Sequence, residues 1–233
     1  MPATNEDRRK IIETHERKPP SKEAVDRKAR SIARLEKEGV PTIEHLPVIE
    51  DSEDAKIRAT NEIAERAIAV CITSVKGEGL EQAKIEWLVK KFGANRFFSP
   101  KERSFIETPT PTREERIQFS WRYECYWMLL WALGYIDLLD RLESACDAAK
   151  AVSFLRDRDT AQFLKDAKLR PIAEILDQAD LIYRYNWAVV NARIKNRELP
   201  GKLDAGVVQE RHYVLNWLIG YMGQEWDEIS TDT

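Results

Sequence analysis

Three sets of residues in this chain have the types and spacing to do chemistry. Glu174, Asp177 and Asp180 recur at i, i+3 and i+6, which places three carboxylates on one side of a helix. Oxygen ligands so spaced can converge on a divalent cation, and Glu174 and Asp177 are the candidate metal ligands. A second set is the run Glu210, Arg211, His212. Val207, Val208, Leu215, Leu218, Ile219 and Met222 form an apolar arc on a helical wheel, with Arg211 in its middle and His212 at its edge. Desolvating an unpaired guanidinium costs several kcal/mol, so Arg211 requires a carboxylate partner or an anionic ligand. Glu124, Glu174 and Asp177 are the acids available to it. Arg122 raises the same question, because its own stretch has no polar side. Arg122, Glu124, Arg170 and Arg211 are the third set, candidate ligand-binding residues suited to a carboxylate or a phosphate.

Each set also has a plain structural account. Asp180 and Arg184 make an i,i+4 pair, and the rest of that row is then a solvated face. The inward arginines can be a buried ion-pair network that fixes helix register. His212 is the one histidine outside the N-terminal region, where His15 and His45 lie. It is a candidate general base, with Glu210 beside it, or a satisfied histidine at the rim of the core. One histidine with scattered cysteines does not make a zinc site.

The elements that must hold these residues read as helices. Ile57, Ala64, Ile68, Cys71 and Val75 form a stripe of helical period from Asp54 onward, stopped by Gly77 and Gly79. Leu80, Ala83, Trp87 and Leu88 mark the next helix, ended by Gly93. Residues 94–112, with Pro100, Pro109 and Pro111, read as irregular. Thr112 and Glu115 form a capping box that opens a helix over 113–139, apolar on every side and so the centre of a bundle. Short helices are expected at 144–155 and 158–166. Pro171 opens a helix to about Lys195, and a last helix covers 204–222. Val40–Ile49 is the nearest approach to a strand, and its two prolines demote it.

Residues 1–37 hold eleven Lys and Arg against seven Asp and Glu, whereas 38–54 hold six acids and no base. That is a composition boundary: a charged helical arm and acidic connector over 1–50, then one helical domain over 51–233. The bland reading of the arm is a solvated one, docked weakly at most through Ile32 and Leu35, and the sharp reading is an anion-binding arm. The fold class expected is all-α, an irregular helical bundle around a buried central helix, with an N-terminal helical arm.

The 233-residue chain has a net charge of −3 and a pI near 5.8, which argues against a globally basic nucleic-acid binder. The longest apolar run, Cys125–Ile136, is too short to span a membrane, which takes about 20 residues. Cys71, Cys125 and Cys146 are odd in number and far apart, unlike a secreted disulfide scaffold. Met1–Lys18 has no apolar core of a signal peptide. A cytoplasmic protein is expected. The sequence contains no GxxxxGK, GxGxxG, HExxH or GxSxG pattern.

Arg122-Tyr123-Glu124 followed by Leu130-Trp131-Ala132-Leu133-Gly134 resembles the central signature of a bacterial family, domain of unknown function 4272. Leu169-Arg170-Pro171 with Glu174-Ile175-Leu176-Asp177 and Asp180 resembles its second block, and Glu210-Arg211-His212 with Leu215-Asn216-Trp217 its third. Trp226-Asp227 and Thr231-Asp232-Thr233 resemble its close. The likeness covers about residues 28–233. It implies a bacterial, cytosolic, stand-alone domain and brings no activity or cofactor with it.

The function expected is a binding module for a protein partner or a small anionic ligand. The first alternative is a metal-dependent hydrolase in which Glu174 and Asp177 hold a cation and His212 moves protons. That carboxylate row resembles the metal-binding face of helical phosphohydrolases. The second is an immunity or antitoxin-type partner protein.

Overall fold

The computed structural model describes residues 19–232. Residues 1–18, with His15 and the first part of the basic stretch, and Thr233 lie outside them. No strand occurs among the described residues. No helix among them is long and apolar enough to cross a membrane.

The helices are α1 (Lys22–Lys37), α2 (Thr60–Gly77), α3 (Gln82–Phe92), α4 (Pro100–Glu107) and α5 (Arg113–Trp121). They continue as α6 (Tyr123–Ala132), α7 (Ala148–Arg156), α8 (Thr160–Asp166), α9 (Ile172–Ile194) and α10 (Ala205–Leu218). Helix α6 is the centre, and all ten of its residues are buried. Helix α2 packs on α5 and α6, α10 crosses α6, and α9 lies between α10 and α1. An all-α bundle around a buried helix is the architecture observed.

The central helix is shorter than the apolar run predicts. The expected helix over 113–139 breaks at Arg122, whose N–H bonds the carbonyls of Phe119 and Ser120 in a tight turn. Helix α5 has no buried residue, so the stretch does have a wet side. Its Phe119 ring stacks on Phe105 instead of entering the core, with centroids 4.0 Å apart. Helix α6 stops at Gly134, which takes φ +75°. A Cβ there would lie 2.9 Å from the Lys168 carbonyl oxygen.

Helix α4 stands where an irregular stretch was expected. Ser99 caps it, accepting from the Glu102 N–H, while the Glu102 carboxylate accepts from the Ser99 N–H. Pro100 occupies the first turn, where its missing N–H costs nothing. Other helix starts are late. Helix α2 begins at Thr60, and α7 and α8 begin after the caps Asp147 and Asp159. Helix α10 ends at Leu218, and Met222 takes φ +52° outside it, so Met222 leaves the apolar arc. Trp87, placed by its spacing on the core side of α3, is 59% exposed.

The arm is docked, not solvated, over its described helix. Leu35 is 0% exposed and joins the main core. Arg27 is 1% exposed. Its Nε donates to Asp177 Oδ1 at 3.2 Å, its Nη1 to the Glu50 carbonyl at 3.0 Å and its Nη2 to Glu23. The basic side of α1 therefore faces α9.

Candidate functional site

The candidate site is a cleft of about 520 Å³ between α9, the end of α1 and the loop 135–143. Two arginines fix its shape. Arg170 follows a return of the chain in which the N–H groups of Lys168 and Arg170 bond the carbonyls of Leu133 and Ala132. Its Nε then donates to the Trp131 carbonyl at 2.8 Å, and its Nη2 to those of Ile136 and Asp137 at 2.7 and 3.0 Å. Arg170 thus places its cation at the C-terminal end of α6, where positive charge is favoured, and ties that end to the loop that follows. Its Nη1 reaches Glu174 at 3.1 Å. The far end of the loop is held by the Asp204 N–H on the Leu142 carbonyl at 2.7 Å.

Arg211 reaches the cleft from α10 and is 1% exposed. Its Nε donates to Glu124 Oε2 at 3.1 Å and its Nη1 to the Asp140 carbonyl at 3.0 Å. Glu124 Oε1 accepts the Cys146 N–H. The Nη2 group of Arg211 is buried and has no hydrogen-bond partner. The ion pair that the sequence demanded for Arg211 is therefore present, and one guanidinium nitrogen is left over.

Helix α1 closes the cleft with Arg34 and Glu38. Glu38 accepts from Arg34 Nε at 3.1 Å and from the Tyr185 hydroxyl. Burial acts to raise the Glu38 pKa. The bonds from Tyr185 and Arg34, with Arg141 nearby, outweigh it and hold the carboxyl below its ordinary value. On the loop, Arg141 pairs with Glu143 at 3.0 Å. Leu142, Leu181, Ile182 and Leu203 supply an apolar wall.

The structure brings Arg170, Arg211, Glu124 and Glu174 to this region and sends the other expected residues elsewhere. Arg122 pairs with Glu210 at 3.0 Å, and its guanidinium lies 3.9 Å from the centre of the Tyr213 ring. The same Glu210 oxygen takes the Cys125 thiol at 3.1 Å. Burial, with Glu210 next to it, pushes that thiol well above its ordinary pKa, so it stays protonated. Glu210 and His212 are not brought together. His212 is 2% exposed and faces a separate hollow of about 160 Å³ with Tyr183, Asn216, Tyr221 and Asp232. Burial pushes its pKa down to about 4, and its Nδ1 has no partner. Consecutive residues of a helix point about 100° apart. The run Glu210, Arg211, His212 therefore serves three different places and not one.

The carboxylate row on α9 does not converge. Glu174 is held by Arg170. Asp177 is held by Arg27 and by Arg30 Nη2 at 2.7 Å. Asp180 is buried against Arg184, with bonds of 2.6 and 2.9 Å, the i,i+4 pair that the spacing offered; Glu174 stays exposed and Asp177 half-buried, so of the three only Asp180 is covered. The cover is α1 and the connector, whose Pro47 carbonyl accepts from Arg184 at 3.1 Å. Among the described residues, no group of three or more His, Cys, Asp or Glu is arranged to hold a metal ion.

Sequence reasoning missed Arg34, Glu38, Asp137, Asp140, Arg141 and Tyr185 of the cleft. Most of them sit in the arm or in a stretch expected to be helix, and their proximity comes from chain returns that leave no periodic signal. Trp217, opposite its helix's apolar arc, is buried against Trp226 in an edge-on contact of 5.3 Å, with Arg58 and Arg66 over its ring.

No curated protein and no solved structure matches the chain. The model of one family, described as a domain of unknown function, DUF4272, matches residues 27–229. That span includes most of α1, the cleft and the whole of α10, and by it the chain belongs to the DUF4272 family.

Proposed function

We propose that this domain is a small-molecule recognition module and that the cleft beside Arg211 is its binding site. The single observation that carries the reading is Arg211 Nη2, a buried donor without a partner on a residue that lines the cleft. A buried polar group left unpaired costs about 1–3 kcal/mol, and an oxygen acceptor from a ligand relieves that cost. Carboxylate and phosphate oxygens are strong acceptors for a guanidinium. The volume falls within the roughly 300–1,000 Å³ of small-molecule sites. Arg170, with its donors on Glu174 and three carbonyls, is a positioning residue that holds the loop. A cytoplasmic setting fits the three free thiols.

The test is a calorimetric titration of the full chain with a panel of small carboxylates and amino acids, repeated on Gln178→Trp. Gln178 lines the cleft from α9 and is half-buried, so the larger ring blocks the space while the helix remains. The account expects saturable heat from a member of the panel and its loss in Gln178→Trp at unchanged stability. A flat panel, or heat indifferent to the substitution, contradicts it.

A further inference from the structure

We propose that the hollow of about 160 Å³ beside His212 is a second binding site, separate from the cleft. Its ligand is a neutral single-ring molecule with an amide edge, a C=O next to an N–H, as in a pyridone or an oxopyrimidine. Two side chains of α10 carry the inference. His212 and Asn216 are 2% and 6% exposed, and both line the hollow. They are four residues apart and so stand on one side of the helix. Asn216 commits its Nδ2 to the Ser230 carbonyl at 2.9 Å. That bond fixes the orientation of the amide and leaves Oδ1 as an acceptor with no hydrogen bond among the described residues. His212 makes no hydrogen bond among them either. Its Nδ1 is shut off from solvent, so the nitrogen that meets the hollow is Nε2. Burial keeps the ring neutral, and a neutral imidazole carries one N–H. An enclosed N–H without an acceptor is disfavoured over an enclosed lone pair, so the proton sits on Nε2. The helix thus presents a donor, Nε2–H, beside an acceptor, Oδ1.

The rest of the lining decides what carries the complementary pair. The volume is close to that of a cavity of about 150 Å³ that admits benzene. Tyr183, whose ring centre lies 5.9 Å from that of His212, and Tyr221 supply aromatic surface, and Val48, Ile49 and Ile219 supply apolar surface. No Lys or Arg lines the hollow, and its two acids, Glu50 and Asp232, are exposed. An anion would be desolvated there without a counter-charge. A bare ammonium would leave Nε2–H without an acceptor. A neutral amide edge meets Nε2–H with its C=O and Oδ1 with its N–H, and the flat ring behind it packs on the tyrosines.

Amide chemical-shift mapping of the full chain with 2-pyridone, 1-methyl-2-pyridone, benzene and benzoate tests this. 2-Pyridone is expected to give saturable shifts at residues 48–50, 179–183 and 212–221. It is expected to bind there about tenfold more tightly than benzene or 1-methyl-2-pyridone, which lacks the N–H, since a buried acceptor left unpaired costs about that factor. His212→Phe keeps a ring and removes the donor, and is expected to weaken 2-pyridone about tenfold while leaving benzene unchanged. The wild-type series decides the matter even where His212→Phe fails to fold. If benzene or 1-methyl-2-pyridone binds the hollow as tightly as 2-pyridone, or His212→Phe binds 2-pyridone undiminished, the donor–acceptor pair is overturned. Benzoate bound at the hollow as tightly as 2-pyridone overturns the neutral ligand. If no probe shifts these residues, the hollow holds only water and the inference falls. The cleft is tested separately, by its own panel and Gln178→Trp.

Discussion

At the scale of single residues, the Arg211–Glu124 pair is the decisive one. Both members are buried, and removing one leaves the other as an uncompensated charge. Arg211→Ala is expected to lower stability by about 3–5 kcal/mol, measured by urea unfolding. Arg211→Met with Glu124→Gln removes both charges and is expected to recover most of that loss, because an apolar replacement of a buried pair is often neutral. His212 makes a second residue-scale prediction. Its folded pKa of about 4 lies below the ordinary 6.5, so the unfolded chain binds the extra proton first. Stability is then complete above about pH 6.5 and falls as the pH drops towards about 4, by on the order of 3 kcal/mol. His212→Leu is expected to flatten that part of the profile in urea titrations at pH 7, 6 and 5. A profile equally steep in the variant would show that other groups carry the acid loss.

The need for an acid partner to Arg211 was legible in the sequence, since a guanidinium in an apolar arc has few options. Its identity was one of three candidates. The unfilled Nη2 was not legible, because it depends on which donors the Asp140 carbonyl and Glu124 happen to take.

At the scale of elements, helix ends decide where the cleft is. Gly134 stops α6 in a left-handed conformation against Lys168 and so launches the 135–143 loop. Gly134→Ala is expected to cost about 1–2 kcal/mol for the backbone conformation alone, and more for the 2.9 Å contact. Gly39, with φ +69° and nothing within 4 Å of a Cβ, supplies the control, and Gly39→Ala is expected to cost less in the same unfolding measurement. Equal losses would remove the packing argument at Gly134. Ser99→Ala is expected to cost about 1 kcal/mol through the lost cap of α4. The helix starts with a local signature, at Thr112 and Pro171, were legible. The Ser99–Glu102 box carries the same signature and was obscured by the prolines around it. The break at Arg122 has no such mark, because apolar residues continue through it and only tertiary packing separates exposed α5 from buried α6.

At the scale of the whole molecule, one core runs from Leu35 of α1 to Trp226, and α1 is tied to it by ion pairs across α9. The all-α class and the buried centre were legible because apolar period and apolar run length report burial directly. The docking of α1 was legible only in Leu35, named for weak docking and found in the core. Its ion pairs rest on Arg27 and Arg30 meeting Asp177, and a charged helix surface looks the same in sequence whether it meets water or a complementary surface. That docking closes one side of the cleft with Arg34 and Glu38, so the site is a property of the assembled bundle.

The central claim is that a small ligand sits beside Arg211 in this cleft. Amide chemical-shift mapping of the full chain, titrated in turn with the small carboxylates and amino acids of the panel, tests it most directly. The account predicts saturable shifts concentrated in residues 137–143, along α9 from Glu174 to Tyr185, and at Leu203 and Arg211. Shifts confined to the His212 hollow or to the surface around Trp87, or no shifts with any member of the panel, would contradict it.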